Sequence, residues 1–278
     1  MLRRAVRRTV PQWARRHARW LLDTRAALAI SADLATFVRL QRLRRPGAAA
    51  SGATPGVTTE LRLRPLGGMP FRVRPGTADA DVVWQTFVGR YHLPPAGLDP
   101  ATILDLGANV GATVAHFAVL HPSARIVAVE VDPENAALLR ANVAPWGDRC
   151  EVVEAAVWSE EGELAFDRAP GREDGVRVRD DGGGTGRAQA VTVASLLDRA
   201  GGTADYVKLD VEGAEREVLA RASDWASRVG CLKVEVHAPY DLSAADADLA
   251  GAGFDVRRDD RHWSCLVATR GLSGGRKP

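Results

Sequence analysis

The stretch Ile103-Leu104-Asp105-Leu106-Gly107-Ala108-Asn109-Val110-Gly111 reads as a buried strand that breaks into a glycine turn and opens a helix. Glycines four positions apart let backbone N–H groups approach a ligand with no Cβ in the way, which is how many α/β proteins hold a nucleotide-like cofactor. The acid in front of the turn discriminates between cofactors. In the dinucleotide fingerprint the turn faces a pyrophosphate, whose charge Asp105 opposes, and counting G-x-G-x-x-G from Gly107 meets Asn109 where the second glycine belongs. S-adenosyl-L-methionine carries no phosphate; its ammonium and sulfonium are groups that Asp105 favours. A methyl donor therefore fits the turn better than NAD, and Gly107, Ala108, Asn109 and Gly111 are expected to border it.

The next apolar run, Ile126-Val127-Ala128-Val129, ends in Glu130 and is followed by Val131-Asp132-Pro133 and a second helix. An acid at the tip of the second strand of a βαβ unit lies beside the first turn and accepts hydrogen bonds from both ribose hydroxyls. Glu130 occupies that place, with Val131 beside it. Cys150 to Val157 is the expected third strand, in which Ala155 and Ala156 either offer a small apolar surface to adenine or serve as ordinary strand-end packing.

Further along, Tyr206-Val207-Lys208-Leu209-Asp210-Val211-Glu212-Gly213 runs from a strand into another glycine turn, and Cys231 to His237 forms a strand of its own. Strands of a helix-covered parallel sheet are mostly apolar, so charged groups inside them need partners. Side chains alternate, which puts Lys208 and Asp210 on one face and Lys233, Glu235 and His237 on one face of the next strand. Neighbouring strands with these faces aligned would pair Lys208 with Glu235 and bring Asp210 to His237 over the crevice. His237, with an ordinary pKa near neutrality, is the expected base for an acceptor hydroxyl, oriented by Asp210, which can also take the proton directly. Glu212 is placed to bind substrate or cofactor. Asp210, Glu235 and His237 are also a conceivable divalent-cation set, but Lys208 repels a cation there, and no metal is expected.

Composition is that of a soluble enzyme: 278 residues, 46% of them hydrophobic. The odd, widely spaced Cys150, Cys231 and Cys265 form neither a disulfide framework nor a zinc pattern, which points to a reducing, cytoplasmic setting. No apolar run approaches the roughly 20 residues of a membrane span. The net charge of +2 hides an asymmetry, for Met1 to Arg45 holds twelve Arg against Asp23 and Asp33 and is therefore +10, leaving −8 for the rest. Val6, Val10, Trp13, His17 and Trp20 fall on one side of a helix within it. Residues 1–45 are thus expected as a basic amphipathic helical segment, which packs on the protein or meets a membrane surface or an acidic partner protein. Residues 46–56 read as a linker and 57–278 as the catalytic domain. Within the domain, Leu61–Arg64 and Phe71–Arg74 alternate like a strand pair, Ala80 to Tyr91 has helical spacing, and the glycine-rich Gly171 to Arg187 is a surface loop or a lid. Nucleic acid is not an expected partner, since the basic residues precede the linker and no RNA-binding motif follows it.

Together, DLGANVG at 105–111, VEVDPEN at 129–135, EAAVWSEEGE at 154–163 and KLDVEGAE at 208–215 resemble the FkbM-type methyltransferases, and RPGTADAD at 74–81 with Tyr91 resembles the family's segment before the sheet. The resemblance runs from about Leu61 to Arg270. It implies use of S-adenosyl-L-methionine and a Rossmann-like class I α/β fold, a seven-stranded mostly parallel sheet with helices on both faces. The last strand is antiparallel, and Phe254–Arg257 and Ser264–Val267 suit the final pair. Many relatives methylate hydroxyls of secondary metabolites or sugars, which implies O-methylation of a small-molecule acceptor. A noncatalytic cofactor-binding protein and a nucleotide-cofactor oxidoreductase are the alternatives.

Overall fold

A computed structural model describes residues 12–45, 47, 48, 54, 56–168, 176–179 and 186–270, with backbone alone for 12–20, 168 and 176–179. Most of the expected linker and of the Gly171–Arg187 loop lies outside these residues, as do Val6, Val10 and the side chains of Trp13, His17 and Trp20.

The central sheet is built from β3 (Thr102–Leu106), β4 (Arg125–Glu130), β5 (Cys150–Glu154), β10 (Ala204–Leu209), β11 (Val229–Glu235), β12 (Asp255–Arg258) and β13 (Cys265–Thr269). Its order is β12-β13-β11-β10-β3-β4-β5, and β13 pairs antiparallel with both neighbours while the other pairings are parallel. Alternation along each strand divides the core. Leu104, Leu106, Val207, Leu209, Leu232 and Val234 face α6 (Val193–Ala200), α7 (Glu215–Ala220) and α8 (Leu242–Gly251). Ile103, Ile126, Tyr206 and Cys231 face α4 (Ala112–Leu120) and α5 (Pro133–Val143). Both faces are therefore sealed and only the strand ends are open to a ligand. Local signals set the helix starts: Asp132 accepts from the amides of Glu134 and Asn135 with Pro133 in the first turn of α5, and Thr192 and Asp241 cap α6 and α8.

The expected strand pair forms as β1 (Thr59–Arg62) and β2 (Pro70–Val73), antiparallel. Three readings change. The segment from Ala80 to Tyr91 gives only a short helix, α3 (Asp79–Trp84), then a wider turn at Gln85–Gly89 closed by Arg90 in the left-handed region. The third strand stops at Glu154, and β6 (Ala156–Val157) leaves the sheet to join β7 (Gly162–Arg168), β8 (Val176–Arg179) and β9 (Gly186–Val191) in a second sheet of order β6-β9-β7-β8. The basic segment is two helices, α1 (Gln12–Ile30) and α2 (Leu34–Leu43), rather than one. Asp33 caps α2 at the break, and Ala27, Ile30, Phe37 and Leu40 pack with Leu61, Leu63, Phe71 and Val83, so the second half of the segment belongs to the domain's core.

Candidate active site

A cavity opens at the carboxyl ends of β3, β4, β10 and β11. From the first turn it is lined by Gly107, Ala108, Asn109 and Thr113, from the tip of β4 by Val129, Glu130 and Val131, from the third strand by Ala155, Ala156 and Val157, and from β10 and β11 by Lys208, Asp210, Val211, Glu212 and Glu235. Val82, Gln85, Tyr91, Asn135 and His262 complete the wall. Seven of the nine expected cofactor residues thus meet in one space.

Asp105 and Gly111 do not line it. The Asp105 side chain is fully buried beneath the turn, where it accepts from the Thr113 hydroxyl and lies 3.4 Å from the Lys208 ammonium. Burial raises its pKa against the pull of that ammonium, and the charge is spent on Lys208 instead of on a ligand. Gly111 precedes α4 with φ 86, and a Cβ there would sit 2.6 Å from Leu139, so this glycine permits α4 to pack on α5. Gly107 has a different reason to be glycine: at φ +84, its Cβ would lie 1.7 Å from the Asp210 carbonyl oxygen.

Glu130 is held in place by three hydrogen-bond donors. Its Oε2 accepts from Asn109 N at 2.8 Å, and its Oε1 from Asp132 N at 2.9 Å and Asn135 Nδ2 at 3.4 Å. Asn135 in turn accepts from Arg74 Nη2 at 2.7 Å, and Arg74 is paired with the buried Asp79 at 2.8 Å. The RPGTADAD segment therefore reaches the cavity through Asn135, a residue visible in the VEVDPEN motif. Burial raises the Glu130 pKa to about 7 against these hydrogen bonds.

The expected Lys208–Glu235 pair is not formed. Register places Lys208 beside Asp105 on one side and Lys233 on the other, so Glu235 lies two residues too far along β11. Lys208 instead binds Asp210 Oδ2 at 3.1 Å and Asp105, and donates to the Gly107 carbonyl at 3.2 Å. Burial opposes its charge, but Asp210 and Asp105 hold its pKa well above the ordinary lysine value. Lys233 is taken up by Asp259 at 3.0 Å and by the Tyr91 and Leu93 carbonyls.

His237 does come to Asp210, with Nε2 3.9 Å from Oδ1, but Asp210 does not orient it. Its Nδ1 pairs at 2.8 Å with Glu215 Oε1, a fully buried carboxylate that also accepts from Val211 N and Gly213 N. The ring's other nitrogen lies 3.7 Å from Glu212 and 4.0 Å from Glu235. Burial opposes the imidazolium, yet the Glu215 bond and charge, with Asp210 and Glu212, raise its pKa to about 9. These surroundings favour the imidazolium form of His237 at neutral pH. Glu235 also borders the cavity: burial and the nearby Asp210 raise its pKa, and Ser264 donates to it at 3.1 Å.

Ligand atoms of Asp210, Glu235 and His237 lie within 4.8 Å of one another, as do those of Glu235, His262 and Cys265. The first set already contains a protonated ring and touches Lys208. In the second, burial pushes the Cys265 thiol well above its ordinary range, which keeps it protonated and a poor ligand. The turn between β12 and β13 adds a feature that strand reasoning missed. His262 lines the cavity and has Tyr91 5.6 Å away on one side and Trp263, 83% exposed, stacked on it at 6.3 Å.

Sheet order and the reversed β13 give the expected fold, the Rossmann-like class I methyltransferase sheet. The methyltransferase FkbM domain matches residues 105–255, more than half of the chain, and the chain belongs to that family. It is 28% identical over 180 residues to the 2-O-methyltransferase NoeI of Sinorhizobium fredii, a match covering 65% of this chain and 68% of that one. Similar solved structures include a precorrin-6y C5,15-methyltransferase from Geobacter metallireducens (17% identity, TM-score 0.38, 62% of this chain and 80% of that). An O-methyltransferase family protein from Burkholderia thailandensis is another (16% identity, TM-score 0.46, 70% and 59%).

Proposed function

We propose that this methyltransferase uses S-adenosyl-L-methionine to methylate a hydroxyl of a small-molecule acceptor. The observation that carries the reading is the cavity's division into two chemically distinct ends. At one end Glu130 lies over an apolar shelf of Val129, Val131, Ala155 and Ala156, which suits ribose hydroxyls and an adenine ring. At the other, Asp210, Glu212 and Glu235 supply only hydrogen-bond acceptors, which suits the cationic part of the donor and an acceptor bearing O–H groups. When bound, the donor supplies a methyl group on a sulfonium. The chain's own residues align the acceptor oxygen and take its proton. Alignment alone is worth roughly 7–11 kcal/mol in favourable cases.

Glu235 is assigned as the proton acceptor, because burial and Asp210 raise its pKa above the ordinary carboxylate value and it borders the cavity. Asp210, fixed by Lys208, positions the hydroxyl, while the His237 imidazolium, anchored by Glu215, offsets carboxylate charge beside it. Glu235→Gln should lower turnover roughly 10²–10⁴-fold and leave donor affinity nearly unchanged. The reading is tested by incubating the protein with donor and panels of hydroxylated metabolites and sugars, scoring for a gain of about 14 daltons on oxygen by mass spectrometry. Methylation on nitrogen or carbon, or donor binding without turnover on any panel member, would remove the O-methylation reading. NAD bound in preference to the donor would restore the oxidoreductase.

A further inference from the structure

We propose that the outer face of α1 and α2 is a docking surface for an anionic lipid bilayer, on which the enzyme lies without crossing it. Eight large apolar side chains are exposed among the described residues, and five of them fall on these two helices: Leu21, Leu22, Leu28, Leu34 and Val38, with Leu22 66% and Leu34 72% exposed. Single exposed aliphatics are ordinary, but such a concentration marks an interaction face. Ala27, Ile30 and Leu40 seat the opposite side of the helices on the core, so the exposed set is what remains after the domain has packed.

The same segment holds the chain's charge excess, +10 for Met1 to Arg45. Arg25, Arg42 and Arg45 are exposed and enter no ion pair among the described residues. Aliphatic and cationic groups interleaved on one surface match the interface of an anionic bilayer, where lipid rearranges around each side chain. A second copy is disfavoured because two such segments repel each other. Nucleic acid would use the Arg residues but leave the leucines exposed. No described helix is long and apolar enough to cross a membrane. The face is also coupled to the cavity. Arg44, just after α2, pairs with Asp81 at 3.2 Å and lies 3.6 Å over the Trp84 ring, and the neighbouring Val82 and Gln85 line the cavity wall.

The test is co-sedimentation of the full chain with phosphatidylcholine vesicles, with and without about one-third phosphatidylglycerol. Binding to the anionic vesicles alone, weakened by salt, is expected. Arg25→Gln and Arg42→Gln should each reduce it about fivefold, corresponding to about 1 kcal/mol per charge near the surface. Leu22→Glu with Leu34→Glu should reduce it by about tenfold or more. All four positions are exposed, so melting temperature and donor affinity should stay at wild-type values. Absence of anionic-vesicle binding overturns the proposal. So does binding unaffected by the leucine changes and competed by heparin, which would identify a polyanion site, or light scattering that shows self-association through this face.

Discussion

Glu215→Gln isolates the cause of the unusual state of His237. Glutamine keeps the shape and an oxygen able to accept from His237 Nδ1, Val211 N and Gly213 N, but removes the charge from a side chain with no solvent exposure. In the wild type the imidazole pKa rises from 6.5 to about 9. At about 1.4 kcal/mol for each tenfold change, this favours the folded imidazolium by roughly 3 kcal/mol. The ring is 23% exposed, so solvent screening trims that figure only modestly. Glu215 supplies both the hydrogen bond and the strongest favourable charge, so the variant should return His237 most of the way to its ordinary range. A pKa raised on folding contributes stability that is complete below 6.5 and lost as pH rises through 9. Wild-type unfolding free energy should therefore fall by roughly 3 kcal/mol across this window from this group, and that of the variant by much less. Urea unfolding on either side of the window, with NMR titration of the His237 ring, measures both quantities. A ring that still titrates near 9 in the folded variant would show that Asp210 and Glu212, not Glu215, hold the proton.

Glu130→Ala should weaken donor binding by roughly 2–4 kcal/mol in calorimetry, because the ribose hydroxyls lose a charged acceptor. In the wild type, hydroxyl donors favour the ionised Glu130, whose pKa is about 7. Donor affinity should accordingly rise with pH up to about that value and level off above it, and a flat profile would show that Glu130 does not meet the donor. Gly107→Ala forces a Cβ against the Asp210 carbonyl at a positive φ, and should destabilise the fold by more than about 3 kcal/mol; an unchanged melting temperature would mean that the turn can move. Trp263→Ala should raise the acceptor KM roughly tenfold while donor affinity is unchanged, as expected for an exposed ring stacked on the cavity-lining His262. An unaltered KM would exclude it from acceptor recognition.

The parts of this protein legible in the sequence are those written in neighbouring residues. The glycine turn at 107–111 and the acid after Val129 depend on turn chemistry and strand period, and both come to one cavity. So do Ala155 and Ala156, although β6 leaves the sheet there. What stayed hidden depends on register. Alternation correctly put Lys208 and Asp210 on one face, but it carried no information about which residue of β11 stands opposite, and a two-residue offset exchanged Glu235 for Asp105 as the lysine's partner. Glu215 was likewise visible only as a helix-start acid in KLDVEGAE. Its bond to His237 spans 22 positions, which no local pattern in the sequence records. Trp263 belongs to a turn with no period to read.

Contact between Gly107 and Asp210 joins the two ends of the cavity into one mechanical unit. The carbonyl of Asp210 occupies the space that a side chain on Gly107 would need, while Lys208 donates to the Gly107 carbonyl and grips the Asp210 and Asp105 carboxylates. The turn that borders one end of the cavity is thereby fixed to the residue that borders the other, with a buried ion-pair network as the fastener. Breaking such a network by removing one partner commonly costs roughly 3–5 kcal/mol, because a charge is left buried without its counterion. The acid in DLGANVG therefore acts on the cavity wall at one remove: Asp105 holds the lysine that holds the turn and Asp210 in register. That accounts for a carboxylate with no exposure in a motif otherwise devoted to a ligand.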